Sequence, residues 1–216
     1  MLSNQHNGVP RIHTYLKSHR KQLELLEAMW SDQHVQCYND EDIPESASTD
    51  RTIFLAGPTS RDHIPEYNWR SEAVLHLRAA GFFGWIYVPE PRGLEMKGDY
   101  NPSYIHNWES SRLFAPMTTN VFWIPRKAPE LLGLNTNLEL GIVLGLIMRD
   151  ALAKSEVFIG WPIGTERMGL VGHYVYDHAR MPTYGTLEQL CYAVMGKDIP
   201  IDTDGGQKNL ALWATD

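Results

Sequence analysis

The chain has 216 residues, of which 43% are hydrophobic and 21% are charged, a composition typical of a globular protein. That length is sufficient for one well-packed α/β domain with a short appendage. The formal net charge of −7 argues against a broad surface for DNA or RNA, although it leaves room for one small phosphate pocket. We therefore expect no nucleic-acid polymer as a partner.

The cysteines and the apolar segments narrow the class of protein further. Cys37 and Cys191 lie far apart and form no CxxC pair, and the histidines show no ligand spacing, so we expect no metal site and no disulfide framework. The first residues show no basic segment followed by an apolar one, so we expect no secretion signal. The longest apolar stretch, residues 138–148, is too short to span a bilayer. These features predict a cytoplasmic protein with no membrane partner.

The first 50 residues differ in composition from the rest of the chain. Residues 10–30 are highly charged, and their apolar residues recur at about helical spacing, which predicts a surface helix. Residues 36–50 are acidic and contain two serines and one proline, a composition typical of a linker. We therefore predict a helical N-terminal extension over residues 1–50 and an α/β domain over residues 51–216.

Short apolar segments alternate with amphipathic ones from residue 51 onward. The predicted strands cover residues 52–56, 85–88, 120–124 and 156–160. The predicted helices cover residues 68–80, 104–114, 138–149 and 187–194. Strands that alternate with helices indicate an α/β fold, a doubly wound parallel sheet with helices on both faces.

Residues 135–141, Asn-Thr-Asn-Leu-Glu-Leu-Gly, are the most informative segment. They follow the apolar segment 121–125, and the pattern predicts a strand, a loop and then a helix with Glu139 in its first turn. A carboxylate at that place lies at the C-terminal edge of the sheet, where open α/β folds bind ligands. The structural alternative is a glutamate that only stabilises the helix N-terminus. We also expect Gly141 and Gly145 to let this helix lie close against the sheet.

The strand–loop junctions of such a sheet converge on one edge and form a crevice. The residues at these junctions are Gly57, Pro58, Arg92, Arg126 and Asn137. Glu109 would face the same crevice if its helix crosses that edge. Two carboxylates in a crevice rich in aromatic residues suit glycosyl chemistry, in which one attacks the anomeric carbon and the other handles protons. For each arginine, the alternative is a solvated surface cation.

Three common motifs are missing from the sequence. No Gly-x-Gly-x-x-Gly follows the first strand, no Walker-type Gly-Lys-Ser/Thr loop exists, and no Gly-x-Ser-x-Gly elbow is present. We therefore expect no dinucleotide cofactor, and neither a P-loop kinase nor a serine hydrolase.

Six short motifs follow one another along the chain: Ile53-Phe-Leu-Ala-Gly-Pro58, Trp69-Arg70, Val88-Pro89-Glu-Pro-Arg92, Trp108-Glu109, Phe122-Trp123-Ile-Pro125 and Asn137-Leu-Glu139-Leu-Gly141. This ordered set resembles the motifs of the nucleoside 2-deoxyribosyltransferase superfamily, in particular its deoxyribosyltransferase-like branch, which is related to nucleotide N-glycoside hydrolases. The similarity covers roughly residues 51–180. It implies a flavodoxin-like fold, activity on N-glycosidic bonds of nucleosides or nucleotides, and a homo-oligomer.

The resemblance also implies roles for individual residues. Glu139 matches the nucleophile of the family, and Glu109 best matches a carboxylate that assists at the base or the sugar. Phe54 occupies the position of a tyrosine that orients the nucleophile, and phenylalanine cannot donate that hydrogen bond. Gly133, six residues before Glu139, occupies the position of an aspartate that holds the sugar 5′-hydroxyl; related nucleotide hydrolases have small or hydroxylic residues there.

A glycine at position 133 is expected to admit a 5′-phosphate, for which Arg92 or Arg126 would supply charge and Thr59 or Ser60 a hydroxyl. We therefore expect an enzyme that cleaves or transfers the N-glycosidic bond of a (deoxy)nucleoside or nucleoside 5′-monophosphate through a covalent glycosyl intermediate on Glu139. Water as the acceptor would give hydrolysis, and a second base would give transfer. The alternative from another class is a nucleotide-sensing module on the same fold, which binds without turnover.

Overall fold

The computed structural model describes residues 20–40, 51–59, 68–93, 102–126, 131–150, 152–153 and 156–197. The strands are β1 (Val35–Cys37), β2 (Thr52–Ala56), β3 (Ile86–Val88), β4 (Thr118–Trp123), β5 (Val157–Gly160) and β6 (Thr183–Tyr184). The helices are α1 (Arg20–Ser31), α2 (Trp69–Ala79), α3 (Pro102–Leu113), α4 (Leu134–Met148), α5 (Gly169–His173) and α6 (Leu187–Val194), and a π-helical turn, Tyr174–His178, continues α5. None of these described helices is long and apolar enough to cross a membrane.

The six strands form one parallel sheet in the order β1-β3-β2-β4-β5-β6. Without the edge strand β1, this is the strand order of flavodoxin-like folds, so the predicted fold class is confirmed. From β2 the chain moves to β3 on one side, and the later strands are added on the other side. The reversal places a topological switch point between the carboxyl ends of β2 and β4, where such sheets bind ligands.

Side chains on the two faces of the sheet belong to two separate apolar clusters. Ile53 and Leu55 of β2 pack in a cluster with residues of α1, α2 and α6. Phe54 and Ala56, on the opposite face, pack in a cluster with residues of α3, α4 and α5. This alternation follows from the period of two in a strand, and it yields a three-layer arrangement with both faces of the sheet buried.

The described part of the N-terminal extension docks on the core. Helix α1 buries Leu26 and Met29 in the same apolar cluster as α2, and β1 pairs with β3 in parallel. The sequence predicts a helix here but no strand, since Val-Gln-Cys lies next to acidic residues and shows no alternation. Strand β6 and the helical segment 169–178 were likewise not predicted, because both are shorter than a clear periodic pattern.

Helix α4 begins at Leu134, four residues before the predicted start at 138. Glu139 is therefore in the second turn, and its predicted position in the first turn is wrong. The helix has Gly133 as its N-cap, with a left-handed backbone (φ of 64°) and no side-chain cap. Asparagine and threonine residues in the first turn look like a loop in the sequence, and no capping serine or aspartate marks the true start.

The expectation that Gly141 and Gly145 let α4 approach the sheet is also wrong. A Cβ atom added at either glycine would meet no described atom within 4 Å outside the helix itself, so no close packing requires them. The buried face of α4 consists of Thr136, Leu140, Val143, Leu144 and Ile147. Because this helix is apolar almost all round, the sequence does not reveal which face is buried.

Candidate functional site

The loop after β2 lies against the end of β4 at the switch point. A Cβ atom on Gly57 would lie 2.2 Å from the Trp123 carbonyl oxygen and 2.6 Å from the Trp69 ring. Only glycine fits so tight an approach of the two backbones. The Trp69 indole N–H donates to the Pro58 carbonyl at 3.1 Å. Gly57 and Pro58, both predicted site residues, thus form a rigid rim of the crevice.

The Arg70 side chain fixes the position of the loop after β2. The residue is only 1% exposed, and its guanidinium donates to the Leu55 carbonyl at 3.1 Å, the Gly57 carbonyl at 2.5 Å and the Thr59 hydroxyl at 3.0 Å. The same group forms an ion pair with Glu90 at 2.5 Å. A buried cation with this many acceptors fixes the path of the loop, and Thr59 is held by it.

Glu90 connects the arginine to the second strand–loop junction. Its carboxylate accepts from Arg70 and from the Asn68 side-chain amide, each at 2.5 Å. Asn68 is also the N-cap of α2, where its side chain accepts from the Ser71 backbone N–H. The ends of β2 and β3 and the start of α2 are therefore one hydrogen-bonded unit, which we call the Arg70 clamp (Asn68, Arg70 and Glu90).

At Gly133, the start of α4 lies against the rim formed by Gly57 and Pro58. A Cβ atom added there would lie 3.1 Å from the Pro58 Cβ, and the left-handed φ disfavours any other residue. The predicted site residues Pro58 and Gly133 are thus neighbours. An aspartate at position 133 would meet both strain and crowding.

Glu139 and Glu109 reach the crevice from α4 and α3. Burial, and after it the negative charge of Glu109, raise the pKa of Glu139 to about 7, while Arg70 and His106 oppose the shift. Burial also raises the pKa of Glu109, against the influence of His106 and Arg70. Because each group responds to the same cations, the two carboxyl groups and the Arg70 clamp share one region. The predicted pair of carboxylates is brought together.

His106 is the nearest polar partner of the pair. Its Nδ1 lies 3.4 Å from the Glu109 carboxylate, one helical turn away on α3. About half of the His106 side chain is exposed, whereas Glu109 is 19% exposed. The His106 imidazole therefore lies at the boundary with solvent, beside a carboxylate that is mostly shielded from water.

Arg126 follows β4, and its side chain reaches the N-terminal part of α4 at Asn137. Its guanidinium donates to the Asn137 side-chain oxygen and to the Arg167 carbonyl at 3.0 Å. The residue is 8% exposed, and no carboxylate among the described residues pairs with it. Its Nε has no hydrogen-bond partner in that part of the chain. Burial and the neighbouring Arg167 charge lower the Arg126 pKa.

Arg92 has a different environment from the one expected of a phosphate ligand. Its guanidinium donates to Asp40 at 2.7 and 2.8 Å, to the Val35 carbonyl at 2.6 Å and to the Trp30 carbonyl. All of these acceptors belong to the N-terminal extension. Arg92 thus connects the loop after β3 to residues 30–40. Of the two arginines predicted as phosphate ligands, Arg126 is therefore the better candidate.

Phe54 supports the site from below instead of lining it. It is 1% exposed and packs against Trp108, with ring centroids 6.4 Å apart. Trp108 precedes Glu109 on α3 and also meets the Tyr87 ring edge-on at 6.2 Å. This aromatic cluster fixes the position of α3 and therefore the direction in which Glu109 points.

Three polar residues of this region had no role in the sequence-based prediction: Arg70, Glu90 and His106. Arg70 and Glu90 stand inside motifs that carry the resemblance, but a buried ion pair leaves no periodic signal. His106 could have been found, because it lies three residues before Glu109 on one helix face.

Comparisons with known proteins add no further information on the site. The chain matches no protein-family model, and no curated protein is significantly similar to it. The case for a function therefore rests on the residues and their arrangement.

Proposed function

We propose that this protein cleaves or transfers the N-glycosidic bond of a nucleoside or nucleoside 5′-monophosphate, as the resemblance to nucleoside 2-deoxyribosyltransferases implies. The observation that carries the proposal is the pairing of Glu139 and Glu109 at the switch-point crevice. Burial and the negative charge of Glu109 bring the pKa of Glu139 to about 7, so about half of the molecules have an ionised Glu139 near neutral pH, and this form can attack. Burial also raises the pKa of Glu109, which increases the capacity of that carboxyl group to carry a proton for the leaving base.

The proposed reaction proceeds in two displacements. Ionised Glu139 attacks the anomeric carbon, the C–N bond breaks, and the leaving base takes the bonding electrons and a proton from Glu109. A glycosyl ester on Glu139 results. Glu109, now ionised, removes a proton from water or from an acceptor base, which attacks the same carbon and releases Glu139. Two inversions retain the configuration at the sugar.

Arg126 supports a 5′-monophosphate as the substrate. A cation that is 8% exposed, with no carboxylate partner among the described residues, is costly unless an anion compensates it. Its side chain contacts Asn137 in the N-terminal part of α4, where backbone N–H groups favour negative charge. Glu139 is on the same helix, so one nucleotide could contact both groups.

A trapping experiment tests the role of Glu139 directly. Incubation with nucleosides and 5′-monophosphates that carry 2-fluoro sugars should slow the second displacement and leave a glycosyl adduct on the protein. We expect peptide mapping to place this adduct on Glu139. An adduct on Glu109 would reverse the two roles, and no adduct together with no released base would contradict the proposal.

The same panel separates the enzyme from the nucleotide-sensing alternative. A sensor would bind nucleotides, as measured by calorimetry, without releasing free base over many hours. An enzyme should release base, and addition of a second base should show whether hydrolysis or transfer dominates.

We further propose that the protein forms at least a dimer. Leu134, Leu138 and Ile142 are 65%, 69% and 46% exposed on α4. A stripe with one large residue every four positions is self-complementary about a two-fold axis. Light scattering at micromolar concentration should give at least twice the monomer mass, and Leu138→Glu should lower it; a monomeric wild-type protein would contradict this expectation.

A further inference from the structure

A second group of titratable side chains lies outside the crevice, on the π-helical turn that continues α5. The turn covers Tyr174–His178, and the Ala179 backbone N–H donates to the Tyr174 carbonyl at 2.9 Å, five residues back. Residues five apart diverge around an α-helix, but the wider π turn brings them to one side. His173 and His178 consequently face each other, with their Nε2 atoms 3.2 Å apart.

Asp177 orients one of these two imidazoles. Its carboxylate oxygen lies 2.6 Å from the His173 Nδ1. An ionised carboxylate can only accept, so we assign the proton of neutral His173 to Nδ1, which leaves the lone pair on its Nε2. His178 then donates its own Nε2 proton to that lone pair. A carboxylate behind an imidazole is the usual support of a histidine that binds metal.

We propose that His173 and His178 together bind a divalent transition-metal ion of the Zn²⁺ class through their Nε2 atoms. Ligand nitrogens at about 2.0–2.1 Å from a tetrahedral zinc ion are roughly 3.3 Å apart, and the observed separation is 3.2 Å. Binding requires the His178 proton to move from Nε2 to Nδ1, so no proton is lost. Small side-chain rotations then direct both lone pairs to one point.

The site is open to solvent and has room for further ligands. The His173 side chain is 53% exposed. Among the residues that the structure describes, no third histidine, cysteine or carboxylate joins the pair around one point. Water would fill the remaining positions, which makes the ion exchangeable. The site is independent of the proposed glycosidic activity, since it uses no crevice residue.

Titration of the full chain with Zn²⁺ alone, followed by calorimetry and by NMR of the imidazole nitrogens, tests the proposal. We expect saturable binding in which the Nε2 resonances of His173 and His178 respond. His173→Asn and His178→Asn should each weaken this binding at least tenfold, and Asp177→Asn about tenfold, as expected for loss of a supporting carboxylate. His76→Asn, which changes a histidine on α2, is the matched control and should leave it unaltered.

Several outcomes would overturn the proposal. It fails if Zn²⁺ does not saturate the wild-type protein below about 1 mM, a thousandfold weaker than a micromolar site. It also fails if other histidines respond in the NMR spectrum. Unchanged affinity in both histidine variants would have the same meaning. Circular dichroism confirms that the variants are folded, and the wild-type NMR result decides the question if one of them is not.

Discussion

The two sides of the crevice differ in how the charge of a buried arginine is compensated. On the β2–β3 side, Arg70 is 1% exposed and is neutralised by Glu90, with three further acceptors around it. On the β4–α4 side, Arg126 is 8% exposed and has no carboxylate partner in the described part of the chain. On α3 and α4, burial and the negative charge of Glu109 raise the pKa of Glu139. The compensated charge of the first side is typical of a structural element, and the uncompensated charge of the second side is typical of a ligand-binding site.

The difference teaches how to separate structural from functional charge. A buried ion whose hydrogen bonds are all satisfied contributes to the shape of the backbone, and a substrate would gain nothing from it. A buried ion with unsatisfied atoms raises the free energy of the empty site, and a ligand of opposite charge relieves that cost. Variants on the two sides should therefore differ in which property they change.

The largest effect should come from Glu139→Gln on turnover. The amide keeps the shape of the side chain but cannot attack the anomeric carbon. We expect base release to fall at least ~10³-fold, or about 4 kcal/mol of barrier. Single-turnover assays with free-base detection measure this loss. Turnover above about a tenth of wild type, only ~1.4 kcal/mol, would show that Glu139 is not the nucleophile.

Arg70→Met should have the next largest effect, on stability. It would leave Glu90 buried without its cation and remove the clamp on the loop after β2. Breaking a buried pair by removal of one partner costs about 3–5 kcal/mol, which urea denaturation would detect. Arg20→Met is the control, since the Arg20 side chain is 87% exposed. A loss below about 1 kcal/mol, the range of surface ion pairs, would mean that the clamp is not structural.

Arg126→Met should change binding and leave stability almost unaltered. Loss of a charge-assisted contact costs about 1.5–3 kcal/mol, which is roughly a 10–150-fold decrease in kcat/KM for 5′-monophosphates. Free nucleosides should be affected far less. Steady-state kinetics with both substrates measures the ratio. An equal decrease for nucleosides and monophosphates would contradict a phosphate contact at Arg126.

The smallest expected effect is that of Glu139→Gln on the free energy of unfolding, which should depend on pH. The folded-state pKa of Glu139 is about 7, against an ordinary value of 4.5, so folding favours the protonated form. Its contribution to stability is therefore present below pH 4.5 and is lost as the pH rises through 7. The Glu139→Gln variant does not lose this stability, because glutamine does not ionise. Allowing for its partial exposure, we expect it to be about 1–2 kcal/mol more stable than wild type at pH 8.

Denaturation at pH 5 and pH 8 measures this difference, with Glu24→Gln as the control because Glu24 is 60% exposed. The gain should be larger at pH 8. A variant that is less stable than wild type at pH 8 would mean that Glu139 has a stabilising role in the fold. Gain of stability with loss of turnover would place Glu139 among residues that a protein retains for function.

Much of the fold followed from local patterns. Strand β2 and helix α6 were predicted to the residue, at 52–56 and 187–194, because a short apolar run and an amphipathic segment are local signals. The parallel sheet also followed, since strands that alternate with helices form one, whereas its flavodoxin-like order was implied by the family resemblance. Strand β1 was not predicted, because three residues form a strand only where a neighbouring edge completes their hydrogen bonds.

The sequence by itself determined which residue types stand at the strand ends, and therefore which side chains could meet. It placed Glu139 and Arg126 at one edge of a parallel sheet, and Glu109 there if its helix crosses that edge. Tertiary structure alone decided how their charges are compensated. Arg70 and Arg92 have acceptors 20 and 52 residues away in the chain, whereas Arg126 has no described carboxylate within reach. Electrostatic energy depends on distance and burial, and neither quantity is a local property of the sequence.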